Sequence, residues 1–172
     1  MKKKDNRSLT VLLKVIITIV AFIIGYGGYL LFEKLNVKMV DASYENLHFK
    51  VASNYKQKSE LSGVKYSTGN GQCTLKVEKN IKMEFYNPNT QELDDKSYKI
   101  EDLYSDNVEL IPKMINGKEW FYHESDDNYF KKIYYYDYII KNVRYHVAIY
   151  SKNDNSCHVN DIANSLELYL QS

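Results

Sequence analysis

Eighteen consecutive residues without a charge, VIITIVAFIIGYGGYLLF at 15–32, constrain this chain more than any other feature. Extended back to Leu9, the run admits one lysine, Lys14, and reaches 24 residues. At about 1.5 Å per residue, these lengths span roughly 27 to 36 Å and bracket the ~30 Å hydrocarbon core of a bilayer. Lys14 lies close enough to one end for its ammonium to snorkel to the headgroups. Tyr29 and Phe32 suit the opposite interface, where amphipathic rings collect. A transmembrane helix over 9–32 is therefore predicted. A cleaved signal peptide opens in the same way, but its apolar core is usually about 7–15 residues long and ends in a small-residue site. Here Glu33-Lys34-Leu35 follows, and no Cys near the helix end offers a site for lipid attachment. An uncleaved signal anchor is the expectation.

Charge sets the direction of the span. Lys2, Lys3, Lys4, Arg7 and Lys14 face only Asp5, a net +4, which leaves 18 basic and 21 acidic groups, or −3, for the remainder. The positive-inside rule then places the basic stub of residues 1–8 in the cytoplasm and everything after the helix outside. Residues 33–45 read as a stalk and 46–172 as one extracytoplasmic domain. Twenty-three basic against 22 acidic residues excludes a chain-wide basic surface for nucleic acid. Lysine outnumbers arginine 21 to 2, and asparagine reaches 16. That bias accompanies AT-rich codons, so a bacterial cell membrane is the expected location.

Cys73 and Cys157 are the two cysteines, and both fall outside the membrane, where disulfides persist. Pairing is expected; two buried free thiols are the alternative. Without a C-x-x-C, redox catalysis is not indicated.

Alternation organises the outer part. Leu47, Phe49 and Val51 alternate with polar residues, as do Cys73, Leu75 and Val77, while Gly69-Asn70-Gly71 between them is a hairpin signal. Asn116-Gly117 joins strands at 108–115 and 118–123 in a type I′ turn, and Lys141-Asn142 joins 130–140 to 143–151. Then the spacing changes: Val159, Ile162, Ala163 and Leu166 fall at helical intervals, with Ser156 as the expected N-cap. The expected fold class is α+β, an N-terminal transmembrane helix followed by an antiparallel sheet of about six strands with a C-terminal helix packed on one face. Cys157, at that helix's start, would staple it to the Cys73 strand.

The opening strand followed by Asn54-Tyr55, the Cys-bearing strand, the Asn116-Gly117-Lys118-Glu119-Trp120 hairpin and the closing helix over 157–166 resemble small extracytoplasmic domains of low-GC Gram-positive bacteria. Some of these are similar to the Mog1/PsbP-like α+β sandwich. The resemblance covers about 46–170 and implies a partner-binding or assembly role, because that fold group is mostly non-catalytic.

Site chemistry is sparse. His48, His123, His146 and His158 form no H-x-H, H-x-x-x-H or H-E-x-x-H, and His48 and His146 fall on registers expected to face solvent. There is no G-x-S-x-G, P-loop or G-x-G-x-x-G in the outer part. The acidic pairs Asp94-Asp95, Glu101-Asp102 and Asp126-Asp127 read as solvated loop acids. Asp126, Asp127 and Asn128, or Asn153, Asp154 and Asn155, lack the spacing of a calcium loop. No catalytic residue, cofactor or metal is assigned.

Two interaction faces remain. Tyr134, Tyr136 and Tyr138 share one side of their strand and would form an aromatic partner-binding platform if exposed. The competing expectation covers both sides of the strand, one by the helix and one by the irregular segment 87–107. In the membrane helix, Thr18, Ala21, Gly25 and Gly28 stack small side chains along one face, suited to a homodimer or a partner's helix. The functional expectation is a single-pass anchored accessory protein whose outer domain binds a protein or envelope component. A structural or assembly subunit of a membrane complex is the alternative, followed by a surface hydrolase using carboxylates.

Overall fold

The computed structural model describes residues 6–35, 37–82, 86–87, 92–93, 98–100, 103–104, 108–153 and 157–169. The chain divides into two units, Met1–Lys38 and Met39–Ser172.

The first unit is one helix, α1 (Asn6–Leu35), 30 residues long. Its apolar span Val11–Tyr29 is long and apolar enough to cross a membrane. Residues such as Val11, Ile17, Phe22 and Ile24 are exposed, the state in which an apolar helix needs a lipid or protein environment. Thr18 satisfies its hydroxyl by donating to the Lys14 carbonyl at 2.9 Å.

The second unit is built almost entirely of antiparallel strands. In chain order they are β1 (Met39–Tyr44), β2 (Leu47–Ala52), β3 (Tyr55–Glu60), β4 (Gly63–Thr68), β5 (Cys73–Ile81), β6 (Tyr86–Asn87), β7 (Glu92–Leu93), β8 (Ile111–Ile115), β9 (Lys118–Ser125), β10 (Lys132–Ile140) and β11 (Val143–Ser151). A short helix, α2 (Val159–Asn164), and β12 (Glu167–Leu168) close the chain. Seven strands form one sheet in the order β3-β4-β5-β11-β10-β9-β8; three form a second, β1-β2-β12; β6 and β7 pair with each other. The architecture is α+β.

Period-2 patterning explains how the layers meet. In the large sheet, Val64, Val77, Val147, Tyr136 and Tyr122 are successive cross-strand partners and form one apolar row. Leu47, Phe49 and Val51 of β2, Ile162 and Ala163 of α2, and Leu166 and Leu168 join the same core. Each buried Val, Leu, Ile or Phe side chain among them contributes about 1.5–3 kcal/mol relative to exposure. Trp120, the largest fully buried side chain, has 0% exposure.

The large sheet gains a strand over the six expected. β3 carries Lys56, Gln57, Lys58 and Ser59, all exposed, and lies at the sheet's edge. Such a polar edge blunts further strand addition and leaves no alternation to read. The expected stalk at 33–45 is also different: Met39–Tyr44 is β1, tied to β2 by six cross-strand pairs. The Glu45-Asn46 turn between them puts Glu45 at φ 49. The C-terminal helix is shorter than its spacing suggests, because Leu166 leaves the helix and Leu168 pairs with Leu47. Its N-cap position is His158 at φ 51, whereas Ser156 lies outside the described residues. The Asn116-Gly117 turn has positive φ at both positions, 47 and 77, as a type I′ turn requires.

Gly63 opens β4 where strand contact is closest. A Cβ built there would lie 2.1 Å from the Val77 carbonyl oxygen, a backbone atom that cannot swing aside. Gly63→Ala is expected to pry β4 from β5 at a cost of about 1–3 kcal/mol, read as a lowered urea midpoint. An unchanged midpoint would contradict this packing.

Candidate functional site

The disulfide joins Cys73 and Cys157, with Cα atoms 5.4 Å apart. It ties β5 to the segment that enters α2. Both cysteines are buried in the core.

Tyr134, Tyr136 and Tyr138 point into that core and form no exposed platform. Tyr136 is 2% exposed, and Tyr134 and Tyr138 are half-buried against the cluster. The cause is register: Tyr136 faces Val147 on one side and Tyr122 on the other, so its row is the one the second layer covers. Burial raises the Tyr136 hydroxyl to about 12. Thr18, Ala21, Gly25 and Gly28 lie on α1, all exposed.

Polar chemistry gathers instead on the opposite face of the large sheet. Asp137 of β10 is 0% exposed, although strand alternation points it away from the apolar core. Its Oδ1 accepts hydrogen bonds from Arg144 Nε at 2.6 Å and His146 Nδ1 at 2.8 Å. Tyr104, which packs on this face, donates its hydroxyl to Oδ2 and accepts from Arg144 at 3.0 Å. Because His146 Nδ1 carries the proton given to Asp137, its 3.1 Å approach to the Arg144 guanidinium is a contact between two donors. Rings wall the cluster. Tyr135 stacks on His123 at 4.3 Å and on His146 at 5.7 Å, while Tyr104 meets His123 edge-on at 4.5 Å.

Burial pushes the Asp137 carboxyl upward, but the hydrogen bonds and charge of His146 and Arg144 outweigh it and hold the group below the usual carboxylate range. Burial lowers the Arg144 guanidinium, yet its bond to Asp137 leaves it raised overall. Burial also depresses His123, which keeps that ring neutral at physiological pH. Desolvation, then the Asp137 charge, raises the Tyr104 hydroxyl.

An Asp–His pair orients an imidazole for base catalysis when a nucleophile sits on its other nitrogen. Among the described residues, the His146 ring contacts Asp137 and the Arg144 guanidinium, no hydroxyl is bonded to it, and the Tyr104 hydroxyl is committed to Asp137. The arrangement suits a clasp that fastens Tyr104 to the sheet. Sequence reasoning missed Asp137, Arg144 and Tyr104 and left His146 facing solvent. One signal was present: Arg144 is one of two arginines in a chain with 21 lysines, on a strand, where a planar fork is hard to replace.

Elsewhere, Asp127 Oδ1 accepts from the backbone N–H of Tyr129 and Phe130 at 2.7 and 2.8 Å and so shapes its own turn. His48 is exposed, with its ring 4.7 Å from that of Tyr169. Asp94-Asp95, Glu101-Asp102, Asp154 and Asn155 lie outside the described residues. Among the described residues, no group of three or more His, Cys, Asp or Glu side chains is placed to hold a metal ion.

No family model matches the chain, and no curated protein matches it. Among solved structures, a protein from Bacteroides thetaiotaomicron VPI-5482 superposes with a TM-score of 0.52 at 8% identity, covering 78% of this chain and 49% of its own. The chain thus spans about half of that protein's length, and the likeness is one of fold alone.

Proposed function

We propose that this chain is a single-pass protein of a bacterial cell membrane, with its basic end in the cytoplasm and its α+β domain on the extracytoplasmic side. There the domain acts as an accessory module that binds a protein or another envelope component. The observation that carries the reading is the pairing of an exposed apolar helix with a disulfide-closed domain in one chain. A Cys73–Cys157 bond persists only where glutathione and thioredoxin do not reduce it, which supports an outside location for the domain. The charge asymmetry, +4 before the span and −3 after it, supports the same direction independently. A binding role fits better than hydrolysis, because the buried acid Asp137 is neutralised by Arg144 and His146 rather than facing a second carboxyl across a cleft.

Topology is tested by a Ser8→Cys variant of the full chain in intact cells, treated with a membrane-impermeant maleimide. Labelling of Cys introduced at position 8 is expected only after permeabilisation, while protease added outside removes the domain. Labelling in intact cells would invert the proposed orientation. The small-residue face of α1 favours a second reading, assembly through the helix. Exchange of α1 for an unrelated anchor separates the two: crosslinked partners that survive the exchange belong to the outer domain.

A further inference from the structure

The register of the large sheet lines up like charges. Lys58 of β3 faces Lys65 of β4, and Lys65 faces Lys76 of β5. Like charges directly opposite one another repel across neighbouring strands, which lie about 4.8 Å apart. Lys76 is neutralised by Glu78 at 2.7 Å and Glu60 at 3.8 Å. Lys58, exposed, and Lys65, partly exposed, have no carboxylate partner among the described residues. Neither has Lys56, exposed on the same face two residues earlier in β3. From Lys56 the next row runs through Ser67 and Thr74 to Tyr150. There the surface turns aromatic. The Phe130 ring lies 5.0 Å from that of Tyr150 and 4.9 Å from that of Tyr129. Tyr129 is 68% exposed, and Lys152 Nζ sits 3.7 Å from its ring centroid. Asp127, in the same loop, spends Oδ1 on the backbone N–H groups of Tyr129 and Phe130. Asp126, the loop's other acid, acts electrostatically on Lys132.

We infer that this surface docks on the anionic face of the bilayer that carries the chain, an inference that rests on the anchored arrangement proposed above. Tyr129 and Phe130 enter the headgroup layer, where amphipathic rings collect, while Lys56, Lys58, Lys65 and Lys152 meet phosphate groups. A soluble polyanion would satisfy the lysines but leave the exposed rings in water. Connectivity supports the placement. Met39 comes four residues after Leu35, a reach of at most about 14 Å. Met39 lies opposite Ala52, and Ser53 and Asn54 alone separate Ala52 from Tyr55, the start of β3. Tyr55 pairs with Thr68, Cys73 with Ser151, and Ser151 with Lys132. The 126–131 loop therefore opens at the end of the sheet where the chain enters the domain. Leu61, fully exposed at the tip of the β3–β4 hairpin, marks the opposite end. So short a tether gives a high effective concentration, which lets individually weak contacts hold the domain down.

The test uses the full chain carrying Tyr129→Trp in nanodiscs of phosphatidylcholine, with or without about one-third phosphatidylglycerol, and with lipid spin-labelled near the headgroup. Trp120, at 0% exposure, supplies a fixed background that is measured on the unsubstituted chain. Leu61→Trp is the control at the far end. Quenching of the Tyr129→Trp indole is expected to be about threefold stronger in anionic than in neutral discs, with the Leu61→Trp indole unquenched. Adding Lys56→Glu/Lys58→Glu, at two exposed positions on an edge strand, should reduce the docked fraction about tenfold. Equal quenching at the two positions or in the two lipid mixtures would overturn the docking, as would indifference to the double reversal. Soluble polyphosphate that shifts the Tyr129→Trp emission in neutral discs, without quenching in anionic ones, would assign the lysines to a soluble polyanion and also overturn it. Co-elution of chain and disc reads the anchor separately. A chain that co-elutes unquenched fails the docking alone, and one that does not co-elute fails both.

Discussion

Asp137→Ala is expected to destabilise the domain by about 3–5 kcal/mol, the usual cost of removing one partner from a buried ion pair. Asp137 is 0% exposed, and its carboxylate is what neutralises Arg144 and fixes the proton of His146. Without it, a half-buried guanidinium, an imidazole and the Tyr104 hydroxyl lose their common acceptor. Asp137→Asn keeps the volume and one acceptor oxygen and should fall between alanine and wild type. Urea midpoints by pulse proteolysis of the full chain in nanodiscs measure both. A shift under about 1 kcal/mol for the alanine variant would mean that the clasp contributes little.

The same cluster sets an acid limit to stability. Asp137 is depressed in the fold, so its contribution is complete above the unfolded carboxyl pKa of about 3.9 and disappears as pH falls through the folded value. His123 is a depressed base: the unfolded ring binds a proton below about 6.5 while the folded ring resists it, so its contribution also fades as pH falls from there. Both losses lie on the acid side. Stability should decline in two stages below about pH 6.5, and His123→Gln should remove the upper stage while leaving the lower.

Where sequence and structure agree, the deciding information is local. Leu47, Phe49 and Val51, or Cys73, Leu75 and Val77, announce a half-buried strand because burial follows the backbone's own period of two. Asn116-Gly117 announces its turn because two successive positive φ values need such residues. β3 offers nothing comparable. Its lysines sit on a sheet edge, where no second layer demands alternation. β1 hides for a related reason, being half-buried at Met39, Ala42 and Tyr44 without regular alternation and tied to β2 by pairing along its whole length. The clasp is the most instructive omission. Alternation correctly places Asp137 and His146 away from the apolar core, but "away from the core" means "toward solvent" only if nothing covers that face. What covers it is Tyr104, 33 residues before Asp137 in the chain, and that contact has no local signature.

Opening the Cys73–Cys157 bond is expected to cost about 4–5 kcal/mol. The separation is 84 residues, and in the chain-entropy model a crosslink that closes so long a loop removes that much freedom from the unfolded ensemble. Against a total of about 5–15 kcal/mol for an ordinary domain, this is a large share. The loss should also be felt unevenly. The bond holds the approach to α2 against β5, and α2 has six residues, too few to persist without tertiary support. α2 and β12 cover Leu47 and its neighbours, so amide exchange in Val159–Asn164 should accelerate before exchange in β5 or β11. The measurement compares urea midpoints of the full chain with and without dithiothreitol, using the Cys73→Ala/Cys157→Ala variant as a reference that reductant cannot affect. Wild type should drop to about the level of that variant on reduction, with two alkylated thiols by mass. If reduced wild type keeps its midpoint within about 1 kcal/mol, the bond is not what secures the C-terminal layer. A large drop would mean that the domain reaches full stability only in an oxidising compartment, which supports the proposed extracytoplasmic location.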